Sequence, residues 1–253
     1  MGEETATYEL IQSALNQGRV GEHQTTFHRL KRLAQDDPKN VDAQALLGKA
    51  LFSQGDYAGA RDWLTQATNG HLNFAGSGEA LTCLGRAHLA ENNAVLAETA
   101  FRRAALQLDE APAYYHLAQL QEAGSEARNV YLLKAASSGV LEACHDLGML
   151  ELKKIKEAGK KPTSLEDYGM AREWLQIAAN DGFGMSMLKM AFMCKAVGQD
   201  ENALAWLEKA KAKEDVAAIA KGLAPQWAKT SKEEALELSL SPQRSRRQLY
   251  HTL

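Results

Sequence analysis

Leu47-Gly48 is followed thirteen residues after the leucine by Ala60, then by Leu64 and Ala67, and Leu84-Gly85 is followed at the same distance by Ala97, then by Phe101 and Ala104. Steps of four and three residues put alanine, a bulky residue and alanine on one face of a helix. The glycine of each Leu-Gly pair removes the side chain that would hold a neighbouring helix away. The pattern therefore predicts a helix, a turn and a second helix lying close against the first. One such pair cannot bury its own apolar face, so it must stack on further copies. The expected fold is all-α, a right-handed α-α superhelix (solenoid) of about six helix-turn-helix repeats, in a single domain over residues 1–240.

Composition agrees with that restriction. Of 253 residues 45% are hydrophobic and only 5 are proline, and the abundance of Ala, Leu, Glu, Lys and Gln with few β-branched runs favours helices over strands. The formal net charge of -3 lacks the basic excess that drives binding to phosphate backbones, which makes nucleic acid an unlikely ligand. No apolar run approaches the roughly 20 residues that span a bilayer, and the polar start MGEETATYEL has no secretory core. Ala6 stands where an N-myristoylation signal needs Ser or Thr.

Residues 1–38 read as a degenerate first repeat. Tyr8, Leu10, Ile11, Ala14 and Leu15 share one face, and Phe27, Leu30, Leu33 and Ala34 share another after a Gly18–Gly21 break, with Asp36-Asp37-Pro38 ending the second helix. Residues 41–110 carry the two regular copies. Their Leu-Gly pairs lie 37 residues apart, and the extra length falls near the Gly76-Ser77-Gly78 turn. With Leu-Gly, Gly55-Asp56-Tyr57, Ala60, Leu64 and Ala67 in place, this region resembles the tetratricopeptide (TPR) repeat, whose period is about 34 residues. Over 112–213 the pattern changes. Leu117-Ala118 replaces Leu-Gly, and Tyr131-Leu132 with Ala135-Ala136 recurs as Trp174-Leu175 with Ala178-Ala179, then as Trp206-Leu207 with Ala210. Together with Ala143 and Leu147-Gly148 this is similar to the Sel-type (SLR) repeat.

The run KKIKEAGKKPTSLE interrupts the repeat, with Gly159 and Pro162 expected to end the helix begun near Leu141. Its lysines Lys153, Lys154, Lys156, Lys160 and Lys161 make a basic loop, read as a solvated segment or as a handle for an acidic partner. Residues 214–240 are expected to cap the stack, with Ser231-x-x-Glu234 as a capping box and Trp227, Leu236 and Leu238 closing its end. Residues 241–253 form a basic tail with Arg244, Arg246 and Arg247, expected to be flexible, in which Ser241-Pro242 offers a phosphorylation site.

Chemistry-bearing patterns are sparse. The histidines His23, His28, His71, His88, His116, His145 and His251 form no His-x-x-x-His pair, so no metal site is expected. Cys83, Cys144 and Cys194 lie far apart without a Cys-x-x-Cys motif, which suits reduced core side chains in a cytoplasmic or organelle-matrix protein. The sequence as it stands leaves room for a transit segment upstream. No phosphate-cradling glycine motif, nucleophile elbow or carboxylate pair occurs, so neither a cofactor nor catalysis is expected.

The TPR resemblance implies a binding surface. In that family the first helix of each pair lines an inner groove, through the residue after the glycine position and those three before and four after it. Carried onto this sequence, those positions are Lys49 and Phe52, then Thr82, Arg86 and Leu89, then Tyr115, Gln119 and Glu122. Long donors at Lys49, Arg86 and Gln119 interleaved with Phe52, Leu89 and Tyr115 suit an extended or helical peptide. The resulting expectation is a non-catalytic scaffold or adaptor that binds a protein or peptide segment, with a helical-repeat RNA-binding factor using the basic loop and tail as the alternative. Oligomeric state is not legible.

Overall fold

The computed structural model describes residues 2–70 and 72–241, and among these all regular secondary structure is helical. The chain divides into two compact units, Met1–Tyr131 and Leu132–Leu253. The first unit contains α1 (Gly2–Asn16), α2 (Gln24–Asp36), α3 (Val41–Ser53), α4 (Tyr57–Thr68), α5 (Ser77–Ala90), α6 (Ala94–Leu108) and α7 (Ala111–Leu120), and α8 (Glu126–Ser137) begins in it. The second holds the end of α8, then α9 (Leu141–Glu157), α10 (Met170–Asn180), α11 (Gly184–Ala196), α12 (Asp200–Lys211), α13 (Ala217–Leu223) and α14 (Lys232–Leu240). The change of sequence character at residue 112 therefore precedes the boundary between the units, which falls inside α8.

Each unit is a stack of helical hairpins, the solenoid type of fold. Helices pair as α3 with α4, α5 with α6, α9 with α10 and α11 with α12, and successive pairs join through α4 on α5, α6 on α7 and α10 on α11. In the first unit α1, α3, α5 and α7 also touch in series, which makes their shared side the inner face.

The Leu-Gly pairs set how closely each hairpin closes. A Cβ on Gly48 would stand 2.5 Å from Leu64 Cγ, one on Gly85 2.5 Å from Phe101 Cε1, and one on Gly148 2.6 Å from Leu175 Cγ. Leu64, Phe101 and Leu175 are fully buried, so the bulky residue of each second helix fills the space that the glycine leaves. The aromatic-Leu-x-x-Ala register works the same way: Leu132, Leu175 and Leu207 go inward with Ala135, Ala178 and Ala210, while Tyr131, Trp174 and Trp206 stay half-exposed beside them.

The turns repeat too. Between α3 and α4, Gly55 takes the left-handed conformation at φ 85° and Asp56 caps the next helix by accepting from the Gly59 amide at 2.9 Å. Between α5 and α6, Asn92 takes that conformation at φ 60° and Asn93 accepts from the Leu96 amide at 3.3 Å. Asparagine is among the few residues that tolerate φ > 0, so one turn is written with two sequences. In the first pair Ile11, Ala14, Leu30 and Ala34 form a core with α3 as its pattern predicts, but Leu10 is 42% exposed.

α9 ends at Glu157 ahead of Gly159, whose φ of 64° stops it. The segment from 158 to 169 is ordered rather than a bare solvated loop. Pro162 is buried, and Asp167 Oδ2 accepts from the amides of Thr163 and Ser164 at 2.8 and 2.9 Å and from Thr163 Oγ1 at 3.0 Å. Those bonds hold the Asp167 carboxyl below the usual carboxylate range. Tyr168 follows, 1% exposed.

At the C-terminal end α13 extends the stack by packing on α12. Ser231 is the N-cap that the predicted capping box calls for, its Oγ accepting from the Glu234 amide at 3.1 Å. The helix it starts, α14, turns back to lie along α11 and α9. Trp227 and Leu240 are buried in that core, with Leu236 and Leu238 packed against it. Pro242, Arg244, Arg246, Arg247 and His251 lie outside the described residues, as does His71.

Candidate functional site

The inner face of the first unit carries most of the predicted groove residues. Lys49, one residue after the close-packed Gly48, sends its ammonium to Glu79 Oε2 at 2.8 Å and to Gln12 Oε1 at 3.4 Å, tying α3 to α5 and α1. A cleft of about 570 Å³ opens beside it, lined by Tyr8 and Gln12 of α1 and by Asp42, Leu46 and Lys49 of α3. One turn further along α3, the Phe52 ring lies 5.3 Å from Tyr57 and carries the Arg86 guanidinium 4.6 Å above its centroid. This is a cation–π contact between α3 and α5.

Arg86 also acts on α7. The His116 ring stacks on Phe101 at 4.8 Å, and its pKa falls to about 4 because burial disfavours the imidazolium and the Arg86 charge adds to that. Tyr115 is half-buried with its ring 5.9 Å from His116, and Leu89 is half-buried on α5. Arg86 itself is exposed. The inner face thus has one exposed guanidinium at its centre, an aromatic ring under it, and aliphatic and aromatic surface on either side.

Three predicted positions differ from the rest. Thr82 is buried, and its hydroxyl donates back to the Gly78 carbonyl at 2.9 Å. It sits where α5 packs between α3 and α7. Gln119 is exposed, but its Oε1 accepts from Arg128 Nη2 at 3.3 Å, so it faces the start of α8. Glu122 is not on the helical ladder, because α7 ends at Leu120 and Gln121 is extended. Two residues that the family positions do not include also belong to the face: Glu79, the partner of Lys49, and Tyr57, the neighbour of Phe52. Glu79 lies seven residues before Arg86, a spacing that puts both on one side of a helix.

The five lysines of the basic segment are all exposed and divide between the end of a helix and the loop that follows it. Lys153, Lys154 and Lys156 lie on the last turns of α9, where Lys153 pairs with Glu157 at 3.7 Å and Lys154 with Glu151 at 2.6 Å; Lys160 and Lys161 follow in the exposed loop.

A different lysine is placed without precedent in the sequence pattern. Lys189 lies in the middle of α11 and is 4% exposed. Its ammonium donates to the carbonyls of Ser241, Leu238 and Ser239 at 2.7, 2.9 and 3.3 Å, the C-terminal end of α14. Burial, with the like charge of Lys156 added, pulls its pKa down to about 7. The three carbonyls and the negative end of the helix dipole work against that pull by favouring the ammonium.

Other polar groups and thiols are buried in the two cores. His145 Nδ1 lies 2.8 Å from Ser186 Oγ in the second unit. The three cysteines are buried, and burial pushes the Cys83 thiol up to about 12, far from a reactive thiolate. No helix among the described residues is long and apolar enough to cross a membrane.

Residues 19–75, which run from the turn after α1 through α2, α3 and α4, match the family model of the tetratricopeptide repeat. No curated protein matches the chain.

Proposed function

We propose, on the premise that the chain is a helical-repeat protein of the tetratricopeptide type, that it is a non-catalytic scaffold which holds a peptide or protein segment of a partner on the inner face of its first unit, in the assembly of a larger complex. Repeats of this type generally serve as protein–protein interaction modules rather than enzymes. The observation that carries the finer reading is Arg86, exposed yet fixed 4.6 Å above Phe52 at the centre of that face. A cation already oriented by a ring loses little freedom when a carboxylate docks on it. Lys49 offers a second charge that an acidic partner group gains by displacing Glu79, and Phe52, Leu89 and Tyr115 supply apolar contact between the two. The partner segment is therefore acidic with apolar anchors. We assign residues 112–213 to the Sel-type branch, on the aromatic-Leu-x-x-Ala-Ala register.

Affinity capture with wild type and with Lys49→Glu/Arg86→Glu, both checked for equal helicity by circular dichroism, tests this reading. Selective loss of a partner from the double variant supports it. Retention of the same partners would remove the inner face from the account and turn attention to the basic segment.

A further inference from the structure

In the second unit the sides of α9 and α11 that face α14 are covered by it. α14 lies along α11 and α9 and buries Ala235, Ser239 and Leu240, while Lys232, Glu233, Glu234 and Glu237 point to solvent. Two polar contacts fix how far it slides in. Ser239 Oγ lies 3.1 Å from the Tyr168 hydroxyl, both buried, and the Lys189 ammonium closes on the last carbonyls of the helix. Those carbonyls have no partner within a helix, so Lys189 does for the end of α14 what a capping residue does elsewhere. α11 is buried almost all round from Ser186 to Cys194, and Lys189 is the one charged residue in that run. It recognises a helix end.

We propose that the face formed by α9 and α11 is a receptor for the C-terminal end of a partner's helix, that α14 is its resident occupant, and that a partner helix of the same chemistry enters by displacing α14. The matching helix presents alanine, serine and leucine at i, i+4 and i+5 and ends within a turn of them, with its last carbonyls free for Lys189. The resident is suited to displacement. At 9 residues α14 is shorter than the roughly 12–15 that hold a helix together alone, so its order depends on docking. Docking also takes the Lys189 ammonium out of water. The face is separate from that of Arg86, and this inference does not depend on the first unit.

A fluorescein-labelled peptide of residues 229–241 is the probe, titrated by anisotropy into the full chain, into a full chain whose α14 is released by Leu236→Asp/Leu240→Asp, and into that variant carrying Lys189→Met. The expected result is binding to the released variant at least tenfold tighter than to wild type, and a further loss of at least tenfold with Lys189→Met. A released variant with wild-type helicity that does not bind the peptide, or equal binding to all three, would overturn the proposal. Sedimentation showing a wild-type dimer that the released variant does not form would assign the face to α14 of a second copy and overturn the partner assignment. Should the released variant not fold, hydrogen exchange on the unaltered chain decides: α14 amides exchanging at least tenfold faster than those of α11 support displacement, and exchange at the same rate contradicts it.

Discussion

Gly85 and Phe101 meet so closely that a methyl group on the glycine would stand 2.5 Å from the ring, and His116 stacks on that ring at 4.8 Å. The ring cannot simply step aside. Gly85→Ala should therefore lower stability by about 1–2 kcal/mol, since overpacking of roughly 1–3 kcal/mol outweighs a helix-propensity gain of up to about 1 kcal/mol. Gly222→Ala in α13 is the contrast, because no atom lies within 4 Å of its added Cβ. There only the propensity gain remains, and the urea midpoint should rise rather than fall.

His116 makes stability depend on pH. Its pKa falls from 6.5 to about 4 in the folded chain, so as pH drops the unfolded state takes up the proton first. The contribution is intact above about pH 6.5, is lost progressively toward pH 4, and amounts to roughly 3 kcal/mol at 1.36 kcal/mol per unit. His88, lowered by burial, acts in the same direction. Denaturant melts of wild type and His116→Gln between pH 4 and 7 should show a shallower slope in the variant.

Much of this arrangement is legible in the sequence because it is local. Leu47-Gly48 and Leu84-Gly85, read with Leu64 and Phe101, specify a small-to-large contact within one hairpin, and the glycines do lie against those side chains. Ser231 and Glu234 specify a helix start in the same way. What the sequence hides is tertiary. Nothing in KEEALELSL says whether its apolar face continues the stack or turns back onto α11 and α9. Thr82 is buried on α5, a helix with neighbours on both sides, and Glu122 leaves the ladder because α7 stops at Leu120. One signal was available: Lys189 alone in the apolar run Met187–Cys194 marks a buried charge that must find a partner.

Tyr168→Phe should cost about 1 kcal/mol, the usual worth of one buried hydrogen bond, because it removes the contact with Ser239 while Ser239 keeps its bond to the Leu236 carbonyl at 2.8 Å. The effect should appear as faster amide exchange in α14, with α3–α6 unchanged. Equal acceleration everywhere would show that Tyr168 supports the chain globally instead.

Asn40 both caps α3, accepting from the Ala43 amide at 3.0 Å, and donates to the Tyr8 hydroxyl at 2.8 Å, so it ties α1 to the regular repeats. Asn40→Ala should destabilise the chain by about 1–2 kcal/mol, and Tyr8→Phe by less because the cap survives. Thermal melts of the two variants give the comparison.

The most direct test of the inner face of the first unit is a peptide-library selection against the full chain, followed by affinities of the selected peptides for wild type, Arg86→Glu and Arg102→Glu. Arg102 is exposed and pairs with Glu98 on its own helix, away from Phe52. The account predicts acidic peptides with apolar anchors that lose about tenfold or more with Arg86→Glu, equivalent to 1.4 kcal/mol, and that keep their affinity with Arg102→Glu within about twofold. Peptides indifferent to Arg86→Glu, or as sensitive to Arg102→Glu, would contradict it.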